Sequence, residues 1–133
     1  MQNYFENDFT QYMLVDNIVH IIYKKGVFID LQASKRIVRD RLMFQEERAY
    51  PVICDIRQLR KVDKAARDYL ALEGSLLIKA LAFIIEPPVS DVMTRFYLMT
   101  NHPDIPTASF REISKALAYL GRFIGMVMGL SIF

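Results

Sequence analysis

The sequence predicts an α/β fold in which strands and helices alternate along a mixed β-sheet. Three short apolar runs, at residues 18–23, 51–56 and 79–85, have the nearly continuous character of strands that are covered on both faces. Segments with helical spacing follow the first two runs and begin after Asp30 and Asp63, whose carboxylates can cap a helix. This alternation is typical of a sheet of about four to six strands packed with about four helices.

The first half of the chain contains a strand pair and the first helix. A strand is expected at residues 9–15, and Asp16 and Asn17 make a tight turn because both residues tolerate a left-handed backbone. The helix after Asp30 has an apolar stripe formed by Leu31, Ile37, Val38 and Leu42. We interpret the charged residues of this helix as a solvated face, formed by Lys35, Arg36, Arg39, Asp40 and Arg41.

The second half of the chain continues the alternation. The second helix is expected to bury one side, formed by Ala65, Tyr69, Leu72 and Leu76. After a break at residues 86–88, the spacing of apolar residues predicts a short helix at residues 90–99. Residues 107–110 are expected to form an edge strand, and Ser109 and Glu112 have capping-box spacing at the start of the last helix.

Length and composition favour a globular protein and exclude several classes of function. The 133 residues suit one domain, 1–133, with a core at about residues 12–122. A net charge of +2 without blocks of like charge argues against a nucleic-acid partner. Cys54 is the single cysteine, so no intrachain disulfide forms, and it is expected to pack as a small apolar residue. The N-terminus lacks the apolar core of a secretory signal, which favours a cytoplasmic protein.

Four segments combine this order of elements with specific turn chemistry. They are the strand at residues 51–56, the helix at 63–70, the strand at 78–83 and the stretch at 106–110 that leads into residues 116–120. In these segments the chain resembles the STAS (SpoIIAA-like, anti-sigma-factor antagonist) family, and in particular small uncharacterised bacterial proteins with that fold. The matching features are patterns of burial and turns, so they predict fold better than activity.

The resemblance implies a non-enzymatic module for protein–protein interaction or regulation. In regulatory STAS proteins a kinase phosphorylates a serine at the start of the helix after the third strand, where the helix N-terminus stabilises phosphate. Lys64 occupies that position here, directly after Asp63. An amine does not form a stable phosphate ester, so the resemblance implies an interaction module without this switch, whose partner is a regulatory protein.

The SEC14-like lipid-binding group shares the broad fold and supplies an alternative function. Its members hold hydrophobic ligands in a cavity beside the sheet. The seven methionines and nine phenylalanines of this chain could line such a pocket, because methionine adapts to irregular shapes. This alternative predicts a carrier or sensor of a small apolar or amphipathic ligand, and a continuous cavity beside the sheet is the feature that would favour it.

A polar cluster is expected at the carboxyl end of the central strand, where open α/β sheets bind ligands. It is formed by Asp55, Arg57, Asp63, Lys64 and Arg67. The cluster is a candidate surface for an anion or an acidic partner loop, whereas the structural alternative is that Asp55 and Arg57 pair and cap the turn. We expect neither catalysis nor a bound metal or cofactor, because nucleophile–base patterns and metal-type spacing around His20 and His102 are missing from the sequence.

The C-terminal tail, residues 123–133, is strongly apolar and includes Phe123 and Val127. The glycines at its start recur at every fourth position, as Gly121, Gly125 and Gly129. On a helix they would form a smooth stripe that permits close backbone approach, although the tail is too short to span a bilayer. Three placements remain open: packing on its own domain, a homodimer interface, or contact with a membrane surface.

Overall fold

The computed structural model describes residues 2–87 and 105–126. Its strands are β1 (Tyr4–Glu6), β2 (Thr10–Val15), β3 (Ile18–Tyr23), β4 (Phe28–Ile29), β5 (Tyr50–Asp55), β6 (Lys61–Val62), β7 (Ile78–Ile84) and β8 (Thr107–Phe110). Its helices are α1 (Leu31–Gln45), α2 (Lys64–Leu72) and α3 (Ile113–Gly121), with a short 3₁₀ turn at Glu73–Ser75.

Six strands form one mixed sheet in the spatial order β1–β2–β3–β5–β7–β8. The pairs β1–β2 and β2–β3 are antiparallel, whereas β3–β5, β5–β7 and β7–β8 are parallel. Parallel neighbours need crossover connections, and α1 and α2 supply the first two of these crossovers. The short strands β4 and β6 pair in parallel as a separate two-stranded sheet beside the two helices. This arrangement confirms the predicted α/β fold.

The two faces of the sheet pack against different helices. On one face, side chains of β2, β3, β5 and β7 join residues of α1 and α2 in the larger apolar cluster. On the opposite face, Ile53, Ala80, Ala82 and Ile84 pack against Ala116 and Leu120 of α3. The small alanines of β7 let α3 approach the sheet closely, which accounts for the burial of its inner side.

The helix starts at Asp30 and Asp63 are confirmed. The Asp30 carboxylate accepts a hydrogen bond from the Ala33 amide at 2.8 Å, and Asp63 accepts one from the Ala66 amide at 2.9 Å. These bonds satisfy backbone donors that a helix N-terminus leaves free, and the negative charge also favours the helix dipole.

The structure differs from the sequence prediction at both ends. An additional strand, β1, precedes the expected first strand and pairs with it. The predicted capping box is wrong, because Ser109 lies in β8 and Glu112 occupies the N-cap position of α3 without a side-chain cap bond. The predicted helix at residues 90–99 lies outside the described residues.

Two predicted helix faces are also wrong. On α1, Asp40 and Arg41 are buried rather than solvated, with exposed fractions of 7% and 2%. On α2, the side expected to be buried faces outward, so that Leu72 is 73% exposed and Leu76 is 50% exposed. The inward positions of α2 hold Ala66 and Ala71 instead. Alanine contributes little to an apolar pattern, so the sequence predicts burial for the side of α2 that carries larger apolar residues.

A buried polar network connects the β1–β2 turn to α1. The Asn7 side-chain carbonyl accepts hydrogen bonds from the amide and the hydroxyl of Thr10, and the Asn7 amide donates to Asp40 Oδ2 at 2.8 Å. The Tyr12 hydroxyl donates to the Ile37 carbonyl at 2.7 Å, and burial raises the pKa of Tyr12 to about 12, so the hydroxyl stays protonated. The network therefore satisfies several polar groups that folding removes from water.

We expect Asn7→Ala to lower the free energy of unfolding by about 2 kcal/mol, because it leaves the buried Thr10 amide without its side-chain acceptor and removes one hydrogen bond from Asp40, which keeps its ion pairs with Arg36 and Arg39. Urea denaturation followed by far-ultraviolet circular dichroism measures the change. The control is Asn3→Ala, an exposed position where a change below about 0.5 kcal/mol is expected. Equal effects of the two substitutions would contradict this role of Asn7.

Candidate functional site

An apolar cavity of about 370 Å³ lies between the sheet and the layer formed by α1 and α2. Its floor is formed by strand side chains, namely Ile21, Tyr23, Cys54, Ile78, Leu81 and Phe83. Its roof is formed by side chains of α1 and α2 and by the turn after α2, namely Ile37, Val38, Arg41, Leu70 and Gly74. The cavity therefore occupies the position where helix side chains normally fill the space above a sheet.

The cavity reaches the surface along α2. Six of its lining residues are only half-buried: Val62, Arg67, Leu70, Gly74 and Ser75 belong to α2 or to segments directly beside it, and Ile105 precedes β8. From α2 itself Arg67 and Leu70 line the cavity, and this short helix covers the sheet without filling the space beneath it. The predicted lining of methionines and phenylalanines is wrong for the described residues: Phe83 is present, and the other apolar side chains are mainly branched aliphatics.

Arg41 places a charged group in the wall of this apolar cavity. Its Nη2 atom donates hydrogen bonds to the Gly74 carbonyl at 3.0 Å and to the Leu76 carbonyl at 2.9 Å. Its Nη1 atom donates to Oε1 of Gln45, one helical turn further along α1. The Gln45 amide in turn donates to the Leu77 carbonyl at 3.0 Å. These contacts fix the guanidinium at the end of the cavity that lies next to the connection between α2 and β7.

The partners of Arg41 are neutral oxygens. Among the described residues no carboxylate forms an ion pair with it, and burial lowers the pKa of its guanidinium to about 10. At neutral pH the group still carries its charge. Sequence reasoning missed this residue because mixed charges normally lie on a solvated helix face. The sequence did contain one signal that Arg41 faces the core. This residue lies three or four residues from Ile37, Val38 and Phe44, and residues at that spacing share one face of a helix.

Cys54 lies in the floor of the cavity and is buried, as predicted for a small apolar residue. Burial is the main cause that raises the pKa of its thiol, with the nearby Asp55 carboxylate as a second cause. The thiol therefore remains protonated at neutral pH, and a protonated thiol is a poor nucleophile. Its place in the wall is consistent with packing rather than with covalent chemistry.

The predicted polar cluster forms separate local pairs. Arg57 binds Asp55 in a bidentate manner, with Nε at 3.0 Å from Oδ1 and Nη2 at 2.8 Å from Oδ2, and the Arg57 amide also donates to Oδ1. The hydrogen bond from Asp55 is the main cause that raises the pKa of Arg57. This geometry is the structural alternative considered from the sequence, in which the two residues pair and cap the turn.

The other three members of the cluster lie at the start of α2. The Asp63 carboxylate caps the helix, and Lys64 Nζ contacts Asp68 Oδ2 at 2.8 Å on the exposed side of the helix. Arg67 points the other way, because its Nη1 donates to the Val62 carbonyl at 2.9 Å and its side chain lines the cavity. The structure therefore divides the cluster between an exposed surface and the cavity rim.

The described part of the tail does not form a continuous glycine stripe. Helix α3 ends at Gly121, and Gly125 lies in a turn, with no neighbouring atom where a Cβ would be placed on either glycine. Phe123 packs against the α3 face of the sheet, next to Tyr119. Gly129 and Val127 lie outside the described residues.

Within residues 2–87 and 105–126, no group of three or more histidine, cysteine, aspartate or glutamate residues is arranged to hold a metal ion. In the same ranges, no helix combines the length and the apolar character needed to cross a bilayer.

The architecture is similar to the crystal structure of an uncharacterised protein of the DUF3478 family, with a SpoIIAA-like fold, from Shewanella loihica PV-4. The TM-score is 0.61 at 12% sequence identity, and the match covers 84% of this chain and 91% of the other. This likeness confirms the SpoIIAA-like fold and shows nothing beyond the fold.

The family follows from the sequence itself. A family model described as a domain of unknown function, DUF7793, matches residues 12–124, and the chain belongs to that family. No curated protein matches the chain.

We expect Lys64→Ser to leave the fold intact and to change the free energy of unfolding by less than about 0.5 kcal/mol, because an exposed ion pair one turn apart contributes little. Thermal denaturation followed by circular dichroism measures the change. Asp63→Ala serves as the comparison at the neighbouring position, where loss of the cap is expected to cost about 1 kcal/mol. A larger loss for Lys64→Ser than for Asp63→Ala would contradict this description of the helix start.

Proposed function

We propose that this protein binds a small apolar or amphipathic ligand in the cavity beneath α2, as a carrier or sensor. The observation that carries the proposal is the cavity itself, which lies in the larger apolar cluster and is lined almost entirely by aliphatic and aromatic side chains. Its volume of about 370 Å³ falls in the range of about 300–1,000 Å³ that is usual for ligand sites.

The apolar walls of the cavity favour an apolar occupant. Apolar surface gains free energy when it is removed from water, and a ligand that fits the walls adds van der Waals contacts. The half-buried residues along α2 provide the route by which such a ligand enters, without opening the sheet.

The chemistry of the lining favours binding over catalysis. Among its described residues, the cavity has two arginines, one cysteine, one tyrosine and one serine, but neither a histidine nor a carboxylate that could act as a general base. Cys54 is kept protonated by burial. These side chains could orient a ligand, whereas a nucleophile activated by a neighbouring base is missing from this set.

The test of this function is binding of the neutral fluorescent probe N-phenylnaphthylamine to the protein after removal of any co-purified ligand. The probe brightens in apolar surroundings, and Val38→Phe should weaken its binding by about tenfold or more, because the added ring occupies cavity volume. The unfolding midpoint of Val38→Phe should not fall, since filling a cavity tends to stabilise a fold.

The matched control places the same ring outside the cavity. Leu72→Phe changes an exposed position on α2 and should bind the probe as the wild type does. The proposed function is wrong if the wild-type protein does not bind the probe, or if Val38→Phe and Leu72→Phe bind it equally well.

The second candidate is an interaction module that works as a homodimer, within a cytoplasmic regulatory pathway. It is favoured by the β1–β3 part of the α3 face of the sheet, because among the described residues α3 packs mainly on β5, β7 and β8. Strand pairing puts Tyr4, Met13, Val15, His20 and Ile22 on this surface, together with the polar residues Glu6 and Gln11. Tyr4 and Val15 are 44% and 47% exposed. Apolar surface of this kind is often buried between identical subunits.

His20 suits an apolar interface. Its Nε2 atom is buried and has no hydrogen-bond partner among the described residues. Burial also lowers the pKa of the imidazole, so the ring is neutral at physiological pH. A neutral ring is removed from water at lower cost than a charged one.

Val15→Lys is expected to convert a dimer to a monomer, because it places a charge on this surface. Size-exclusion chromatography with light scattering measures the mass. Leu72→Lys, an equally drastic change on the opposite side of the sheet, should leave the dimer intact. A monomeric wild-type protein at micromolar concentration, or a Val15→Lys protein that remains dimeric, would contradict the proposal.

The apolar C-terminal residues are tested separately by truncation after Met126. The cut retains Phe123 and Ile124, which pack on the sheet, and the Ile124 carbonyl, which accepts a hydrogen bond from Lys79 Nζ at 2.7 Å. We expect the truncated protein to fold and to be monomeric, because residues 127–133 would supply apolar area to the dimer. An unchanged dimer mass would exclude these residues from the interface.

A further inference from the structure

We propose that the ligand of this cavity carries an anionic head, a carboxylate or a phosphate ester, and that Arg41 binds this head. The inference rests on the proposed ligand-binding function and names the chemical class of the ligand. It follows from the hydrogen bonds, the burial and the charge environment of one side chain, which the cavity brings together.

The described residues do not use all the hydrogen-bond donors of the Arg41 guanidinium. Three hydrogen bonds leave it, one to Gln45, one to Gly74 and one to Leu76. A guanidinium carries five N–H donors, so two of them remain without a partner among the described residues. The unused donors are the Nε–H and one Nη1–H, because Nη2 donates twice and Nη1 once. Because the side chain lines the cavity, a ligand acceptor in that cavity would complete the set.

The charge balance of the cavity points to an anion. Arg41 and Arg67 both line it, and the described lining residues include no aspartate or glutamate. A positive charge that is 2% exposed and bound only to neutral oxygens attracts a negative charge more strongly than it would at the surface. Guanidinium groups also match the planar or tetrahedral oxygens of carboxylates and phosphates.

Folding has already removed Arg41 from water, which lowers the cost of forming this contact. Burying an ion pair is normally expensive because both partners lose their hydration. Here the guanidinium is dehydrated and held in place before a ligand arrives, so binding need dehydrate only the anion. Such preorganisation favours affinity.

The position of Arg41 also suggests how the rest of the ligand lies. The guanidinium sits beside Gly74 and Leu76, near the start of β7, whereas Leu81 and Phe83 line the cavity further along the same strand. From Ile78 to Phe83 a strand extends about 17 Å, at roughly 3.3 Å per residue. An elongated apolar body would follow this strand away from the charged head.

A purely structural role is the competing explanation for Arg41. Its bonds to Gly74 and Leu76 tie α1 to the connection between α2 and β7, and a cation near the end of a helix is favourable in itself. A structural role predicts no preference for the head group of a ligand. The experiment therefore compares ligands before it compares variants.

The experiment measures displacement of N-phenylnaphthylamine from the wild-type protein by decanoate, decyl phosphate and decanol, which share one apolar chain. We expect at least one of the two anions to bind about tenfold or more tightly than decanol. A tenfold difference in affinity corresponds to the free energy of one charge-assisted hydrogen bond. The tighter of the two anions identifies a carboxylate or a phosphate ester as the preferred head. Equal affinities of all three would overturn the inference while leaving the proposed function intact, whereas absent probe binding would overturn both.

Substitutions at Arg41 test whether this residue causes the preference for anionic ligands. Arg41→Met should retain probe binding and lose the preference for anions, and Arg41→Lys should keep part of it. Arg60→Met, which removes an exposed arginine outside the cavity, should behave as the wild type does. A folded Arg41→Met protein that keeps the full preference would overturn the assignment. If Arg41→Met does not fold, the comparison of Arg41→Lys with the wild type decides, because a preference unchanged in Arg41→Lys overturns it as well.

Discussion

The burial of the Arg41 guanidinium is the constraint on which much of this structure depends. The guanidinium donates hydrogen bonds to the carbonyls of Gly74 and Leu76, and its partner Gln45 donates one to the carbonyl of Leu77. The Leu77 carbonyl also accepts a hydrogen bond from the Tyr50 amide, so this irregular connection is tied both to α1 and to the start of β5. The same contacts fix the distance between α1 and the connection that follows α2. One side chain thus sets both the end of the helical layer and the charged end of the cavity.

The cavity results from two features. The contacts of Arg41 fix the connection that follows α2, and α2 itself is short. Asp63 starts the helix and the 3₁₀ turn at Glu73–Ser75 ends it, so that it covers the sheet with only nine residues. Of its residues, Arg67 and Leu70 line the cavity, and both are only half-buried. These side chains leave open space where close packing would normally leave none.

The sequence predicted what depends on local patterns and missed what depends on distant partners. Continuous apolar runs and the caps at Asp30 and Asp63 identified the central strands and two helices, because these signals lie within a few residues of one another. Arg41 was assigned to solvent because its partners Gly74 and Leu76 are more than thirty positions away in the sequence. The sequence predicts burial for the exposed side of α2, because Leu72 and Leu76 carry a stronger apolar signal than the alanines that face the core. No local pattern indicates a cavity.

Helix α2 lies between the cavity and the solvent. On its outer side α2 presents Lys64, Asp68 and Leu72 to solvent, and on its inner side Arg67 and Leu70 line the cavity. A ligand beneath the helix would contact the inner side chains and thereby bias the position of the outer ones, because a short helix moves as a unit. Binding can shift such an equilibrium only by its difference in affinity between the two positions. A helix with few buried side chains resists displacement less than a well-packed one, since little buried area is lost when it moves. The chain therefore has the physical means to report an occupied cavity at its surface without a phosphorylated serine at the start of α2.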